Sequence, residues 1–307
     1  MSKRRTAFRN RTEYLAYWLL SVVVRWFPLR PLQAVGALGG RALFALRGKH
    51  VRWALANLRL AFPDMEEAER RRICAASYAA FGRNAIDFVR AESWSADQVR
   101  ARVTFEGMEH IAHGLDRGQG VLFVSAHIGN FELAIRAFAT RGDPILVVGR
   151  PMRNELLYQR IERSRTRDGQ VQLIDRKRAA MPVLRAIKRN YLIAVLMDQY
   201  VRRSQGVFVP LFGLRCSTSP VVASLALRTG AAVICATIAR DGPDHHVVHF
   251  SPIEMPEVKE GENEVEAFTA ACNSAIEERI RAHPDQWMWG HRRFRYSPDL
   301  DSDPYAL

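Results

Sequence analysis

Apolar positions recur at helical spacing through residues 12–92, and the rhythm changes after about Val103. Phe62-Pro63-Asp64 breaks the helical pattern, and Met65 to Arg72 opens a new charged helix. Beyond it, strand-like apolar runs at 121–125, 145–149, 193–197, 233–238 and 246–250 alternate with helix-like stretches at 130–140, 154–167, 178–189, 219–229 and 265–282. Strands alternating with helices predict an α/β fold, a central mixed sheet flanked by helices. The chain divides on this reading into an amino-terminal helix (1–30), a helical extension (31–100) and an α/β domain (101–307). No internal repeat or low-complexity linker interrupts it.

The amino terminus changes the picture of where the protein sits. Lys3, Arg4, Arg5, Arg9 and Arg11 precede Tyr14-Leu-Ala-Tyr-Trp-Leu-Leu-Ser-Val-Val-Val24, and Arg25-Trp-Phe27 follows. The run falls short of the ~20 residues a straight span requires, and no small-residue cleavage site follows it. A basic flank, tryptophans and a short greasy helix predict a membrane-associated, interfacial anchor with its positive end cytoplasmic. Residues 31–46 form a second, weaker apolar stretch, interrupted by Gly36, Gly39, Gly40 and Arg41. The plainer alternative is that both stretches pack as ordinary helices. A net charge of +13 calls for an anionic partner, whether nucleic acid, acidic protein or membrane surface, unless the arginines only solubilise helix faces. Four widely spaced cysteines exclude a disulfide framework and a CxxC zinc site by pattern.

Candidate chemistry gathers where strands end. Val121–Ser125 leads to His127, Ile145–Gly149 to Arg150, and Ile193–Met197 to Asp198. Ligands of open α/β sheets bind at the carboxyl ends of strands, so these three could share one cleft. In His127-Ile-Gly-Asn-Phe-Glu132 the histidine closes a strand and the glutamate falls in the first helical turn. His127 is the candidate general base, with Glu132 holding its tautomer. No G-x-S-x-G nucleophile occurs nearby, which favours direct attack by an acceptor hydroxyl. Arg150 could bind phosphate or oxyanion charge, and Asp198 could bind acceptor polar groups or orient Arg150. The competing readings are a strand-capping core histidine, a surface loop arginine and a turn residue. Gly206-Val-Phe-Val-Pro-Leu-Phe-Gly213 reads as a loop whose apolar residues could line an acyl pocket, leading into a helix capped by Thr218 or Ser219. Trp287, Trp289, His291, Arg292, Arg293, Phe294 and Arg295 interleave rings with charge, suiting either headgroup binding or a core with a basic edge. His245-His246-x-x-His249 has no carboxylate at ligand spacing, so no metal site is expected.

With these residues in view, the chain resembles the late (lauroyl/myristoyl) acyltransferases of lipid A biosynthesis, within the lysophospholipid-acyltransferase-like superfamily. The resemblance runs through Asn57-Leu58 with Phe62-Pro63, Gly107-Met-Glu-His110, His127-x4-Glu132, Arg150-Pro151, Asp175-Arg176-Lys177, Asp198-Gln199, Phe208-Val-Pro-Leu-Phe212 and Trp289-x-His291-Arg-Arg293-Phe294. It implies an acyltransferase domain over 101–307 that moves a fatty acyl chain from an acyl carrier protein thioester to a hydroxyl of a Kdo-lipid IVA-type precursor. His127 and Glu132 would be catalytic, and Arg150, Asp198 and Arg293 would bind substrate. It further implies a monomer on the cytoplasmic face of a bacterial inner membrane, with an anionic glycolipid acceptor, no cofactor, no metal and no nucleic acid. One departure is Tyr200, where the family often has an acid. Two alternatives stand beside this reading: acyl-CoA-dependent transfer to another glycolipid or phospholipid, and a non-enzymatic basic protein on membrane or nucleic acid. Glycerolipid acyltransferases carry Asp as the acid and a Phe-Pro-Glu-Gly loop, which are not found here.

Overall fold

The structure is a computed structural model that describes residues 3–167, 169 and 171–306. Four helices come first: α1 (Lys3–Trp26), α2 (Leu29–Ala45), α3 (Lys49–Ala61) and α4 (Glu67–Ala91). The Phe62-Pro63-Asp64 break separates α3 from α4, because proline fixes φ and bars helix from the residue before it. The α/β part then runs α5 (Ala96–Arg100), β1 (Val103–Glu106), α6 (Met108–Asp116), β2 (Val121–Ser125), α7 (Phe131–Ala139), β3 (Ile145–Gly149), α8 (Glu155–Thr166), β4 (Val171–Asp175), α9 (Ala180–Lys188), β5 (Leu192–Leu196), β6 (Val207–Leu211), β7 (Leu214–Thr218), α10 (Val221–Thr229), β8 (Ala232–Arg240), β9 (His246–Pro252) and α11 (Glu264–Ala282).

Seven strands form one sheet in the order β1-β9-β8-β2-β5-β3-β4. Every neighbouring pair is parallel except β8 with β9, so the sheet is mixed as expected. Its central strands β2 and β5 are apolar on both faces. Leu122 and Val124 point into one core layer with α9, α10 and α11, while Val121 and Phe123 point into the other with α7. Because β2, β5 and β3 are parallel neighbours, their carboxyl ends lie side by side on one edge.

The segment 206–213 is not the expected loop. It is the first half of an antiparallel hairpin, β6–β7, that turns at Phe212-Gly213 and packs on α11. Alternating burial along Val207–Leu211 was hidden by Pro210, whose exposed position on a two-stranded edge leaves the ladder intact. The following helix starts one residue later than expected, with Pro220 at its cap and Thr218 buried elsewhere.

The glycines that interrupt the second apolar stretch join two helices. Gly36 and Gly40 of α2 lie one turn apart against Gly82 and Tyr78 of α4. A Cβ on Gly40 would stand 2.0 Å from the Tyr78 carbonyl oxygen, and one on Gly82 would stand 2.0 Å from that of Gly36. Helix α1 is fastened by polar groups. Tyr17 Oη donates to Glu92 Oε1 at 2.6 Å, Arg160 of α8 donates to the same carboxylate at 2.7 Å, and Asn154 donates to Asn10 O and Glu13 Oε2. The outer faces remain apolar and exposed: Leu15, Trp18, Leu19, Val22, Val23, Trp26 and Phe27 around α1, then Val35, Leu38, Leu43 and Leu46 along α2. Among the described residues no helix is long and apolar enough to cross a membrane. Of the basic flank, the side chains of Lys3, Arg4 and Arg5 lie outside the described residues.

Candidate active site

His127 and Asp198 follow adjacent parallel strands, β2 and β5, and meet at the shared edge. The His127 ring contacts Asp198 Oδ1 through Nδ1 at 2.8 Å, and the His127 backbone N–H donates to Asp198 Oδ2 at 2.9 Å. Trp287 Nε1 donates to the same oxygen at 2.8 Å. The carboxylate, 3% exposed, thus accepts from three donors that fix its plane. Burial alone would raise its pKa, but the His127 charge and these hydrogen bonds outweigh burial and hold it at about 2. Burial likewise opposes a charged His127, and the Asp198 carboxylate overcomes it, so the imidazole pKa lies above its ordinary value. An ionised Asp198 can only accept, which assigns the proton to Nδ1 and leaves the Nε2 lone pair free for base chemistry. Gln199 Nε2 stands 3.5 Å from that nitrogen, too long for a strong hydrogen bond and displaceable by an acceptor hydroxyl.

The loop between His127 and α7 has little freedom. Gly129 takes φ +56°, its N–H donates to Gln286 O, and a Cβ there would stand 2.2 Å from Ile238 O. Only glycine lets the chain pass β8 this closely. Asn130 caps α7 by accepting from Leu133 N. Helix α7 begins at Phe131, four residues after His127, and the first N–H groups of a helix have no acceptor within it.

Glu132 is placed differently from expectation. Its carboxylate is claimed by Arg165 of α8, one bond being 2.8 Å and a second joining Nη2 to Oε1. The contact at Nδ1 that Glu132 was expected to make belongs to Asp198. Glu132 acts on the imidazole only through its field, which adds to the upward shift. The physical reason is helical geometry: at the second position of α7 the side chain projects sideways onto α8. Phe131, one residue earlier, is what touches the base, edge-on with ring centroids 5.0 Å apart.

From Phe131 a narrow apolar cavity of about 70 Å³ runs beneath α7 along the sheet. Ser125, Leu196 and Phe131 lie toward its His127 end, and Ala134, Ile135 and Phe138 line the helix side. At the far end Phe138 packs against Phe105 (5.4 Å between centroids), Phe123 and Phe250 (both 5.6 Å).

The matching of sequence to known proteins decides the class. The family model for bacterial lipid A biosynthesis acyltransferases matches residues 1–296. The chain belongs to this family. Similar curated proteins include the lipid A biosynthesis lauroyltransferase of Escherichia coli, 29% identical over 92% of this chain and 93% of its own length. The palmitoleoyltransferase of the same organism is 27% identical over 94% of this chain and 95% of its own. The myristoyltransferase is 23% identical over 97% and 92%.

In this O-acyltransferase the remaining expected site residues separate. Arg150 stands exposed on the site edge, directly after β3. Arg293 does not face substrate. It is 1% exposed, and donates to Ser217 O at 2.9 Å and Thr218 Oγ1 at 2.7 Å, with Asn273 Oδ1 at 3.4 Å. It is a buried tie between β7 and α11, because the hairpin and α11 wrap the segment that carries it. Trp287 and Trp289 are likewise core rings, 4.5 Å apart. The sequence pattern gave no site role to Arg165, read Trp287 only as a headgroup or core ring, and did not pair Asp198 with His127. The strand-end positions of His127 and Asp198 were the signal that could have paired them.

Proposed function

We propose that this acyltransferase moves a fatty acyl chain from an acyl carrier protein thioester to a hydroxyl of an anionic Kdo-lipid IVA-type precursor. His127 is the general base and Asp198 its positioning carboxylate. The observation that carries this reading is the 2.8 Å contact of His127 Nδ1 with the Asp198 carboxylate, which leaves Nε2 for base chemistry beside the mouth of an apolar cavity. The acceptor hydroxyl gives its proton to Nε2 and attacks the thioester carbonyl. The first N–H groups of α7 face the oxyanion, and the thiolate departs with its carrier. The imidazolium so formed is stabilised by Asp198 and by the field of Glu132. The acyl chain occupies the cavity below α7, with Phe138 as its floor. Arg150 meets substrate phosphate.

The exposed apolar faces of α1 and α2 seat the protein on the cytoplasmic face of an inner membrane. A greasy helix surface bearing Trp18 and Trp26 has the chemistry of an interfacial, non-spanning element. The test is reconstitution of the purified protein with vesicles containing the lipid A precursor and either acyl-carrier-protein or acyl-CoA donors, read by mass spectrometry. One added acyl mass from the carrier donor, absent with His127→Ala of unchanged circular dichroism, is expected. Equal turnover by the alanine variant would remove His127 from the mechanism. A preference for acyl-CoA would replace the donor assignment.

A further inference from the structure

Tyr200 stands two residues after Asp198 and one after Gln199, on the side where His127 Nε2 is free. Its ring lies against His291 with centroids 4.9 Å apart and planes inclined 31°, and against Tyr296 edge-on at 5.4 Å. Arg295 donates to Tyr200 Oη at 3.4 Å and lies 5.3 Å from the Tyr296 ring, which Arg203 approaches at 5.8 Å. Neither guanidinium forms an ion pair among the described residues.

The buried member of this group is incomplete. His291 Nδ1 is sealed from solvent and has no hydrogen-bond partner. Burial, reinforced by Arg293, His127 and Arg292 against the opposing pull of Asp198, pushes the ring down to about 4, so it is neutral near pH 7. A neutral imidazole packed on a phenol offers a flat ring surface, and the Tyr200 hydroxyl offers the hydrogen bond. Arg203 and Arg295, neither of them in an ion pair among the described residues, offer bidentate charge to phosphate or carboxylate near it. Rings, hydroxyl partners and anion partners together are what a charged sugar requires, and a peptide or an acyl chain would use only part of the set.

We propose that Tyr200, His291, Tyr296, Arg203 and Arg295 form a subsite for an anionic saccharide, the headgroup of the acceptor, next to the catalytic base. The assignment rests on the glycolipid-acceptor reading above, and it gives the Tyr200 departure a purpose. The cluster holds the sugar while the hydroxyl to be acylated reaches Nε2.

Direct binding and turnover test it separately. Titration of the full chain with glucosamine phosphate, followed by NMR of the imidazole nitrogens, should perturb His291. Glucosamine alone should perturb it much less, and Arg203→Ala/Arg295→Ala should abolish the phosphate-dependent part. In turnover, each arginine variant should raise the acceptor KM about tenfold, as loss of a charge-assisted bond implies. Donor KM and kcat should stay within about twofold. Tyr200→Phe should keep most of the affinity, and Tyr200→Ala should not. Absence of any phosphate-dependent perturbation overturns the subsite, as does a rise in donor KM, which would make the cluster a dock for the acidic carrier. If the saccharide binds yet no lipid A-type acceptor is acylated, the subsite stands and the reaction assignment falls.

Discussion

Replacing Asp198 by asparagine is the sharpest probe of the site, because it alters charge with almost no change in shape. The carboxylate accepts from His127 Nδ1, His127 N and Trp287 Nε1 at 2.8–2.9 Å. An amide has one acceptor oxygen, so at least one of these donors must face an NH2 group. Either the backbone and indole donors lose their partner, or the amide donates to Nδ1 and drives the ring proton to Nε2, which blocks the base. Hydrogen bonds to charged groups contribute about 1.5–3 kcal/mol each. The imidazolium that forms in the transition state also loses its counter-charge at 2.8 Å. Together these predict a rise of about 3–5 kcal/mol in the barrier, or a fall of roughly 10²–10⁴ in kcat at 1.4 kcal/mol per decade. The ascending limb of the kcat/KM–pH profile should also move down, because the group that raises the His127 pKa is gone while burial remains. Single-turnover acyl transfer under saturating donor, over pH 5–9, measures both. Retention of kcat within about fivefold, with an unmoved profile, would refute the pairing. Glu132→Gln should lose only about tenfold by comparison, since Glu132 reaches the ring through its field and is anchored on Arg165.

The His127–Asp198 pair also sets a pH window for stability. The raised His127 pKa contributes fully below about 6.5 and is lost as pH climbs through the folded value, while the lowered Asp198 pKa contributes above about 4 and is lost as pH falls toward 2. The Tm difference between wild type and Asp198→Asn should therefore be greatest between about pH 4 and 6.5; a difference that grows above pH 8 contradicts the sign. Gly129→Ala should lower stability by several kcal/mol, on the order of a strained left-handed residue plus a backbone clash, seen as a large fall in urea midpoint. Arg293→Met should cost about 1–3 kcal/mol for each buried acceptor it leaves unpaired, without changing acceptor KM in the folded fraction. Phe138→Ala should shift donor preference toward longer chains, by about fourfold in kcat/KM for each newly buried methylene at ~0.8 kcal/mol. Unchanged chain-length selectivity would take the floor away from Phe138.

Much of the architecture was readable from the spacing of apolar residues, and the omissions have physical causes. Strands β2, β3, β5 and β8 announce themselves by continuously apolar sequences, and β9 by alternation of buried and half-buried positions through His246–Ser251. Strand β1, Val103–Glu106, and strand β4, Val171–Asp175, sit at the two edges of the sheet. Their outward residues are polar, so neither stands out from a loop. His127 was legible as a base because it closes an apolar strand. Its partner was not, since Asp198 lies 71 residues away and only the parallel pairing of β2 with β5 joins them. Glu132 lay closer in sequence and so looked the better partner. Arg293 misled for the opposite reason: arginine in a basic run reads as surface, and only the hairpin folding over it reveals three buried acceptors waiting.

The contact of α2 with α4 inverts the usual relation between hydrophobicity and constraint. Val35, Leu38 and Leu43 look outward and could be exchanged among greasy residues at little cost, since nothing of the protein rests on them. Gly36, Gly40 and Gly82 admit no side chain at all. A deep mutational scan of this extension should therefore trace a rhythm of one turn, in which the smallest residues are the intolerant ones and the largest are freely exchanged.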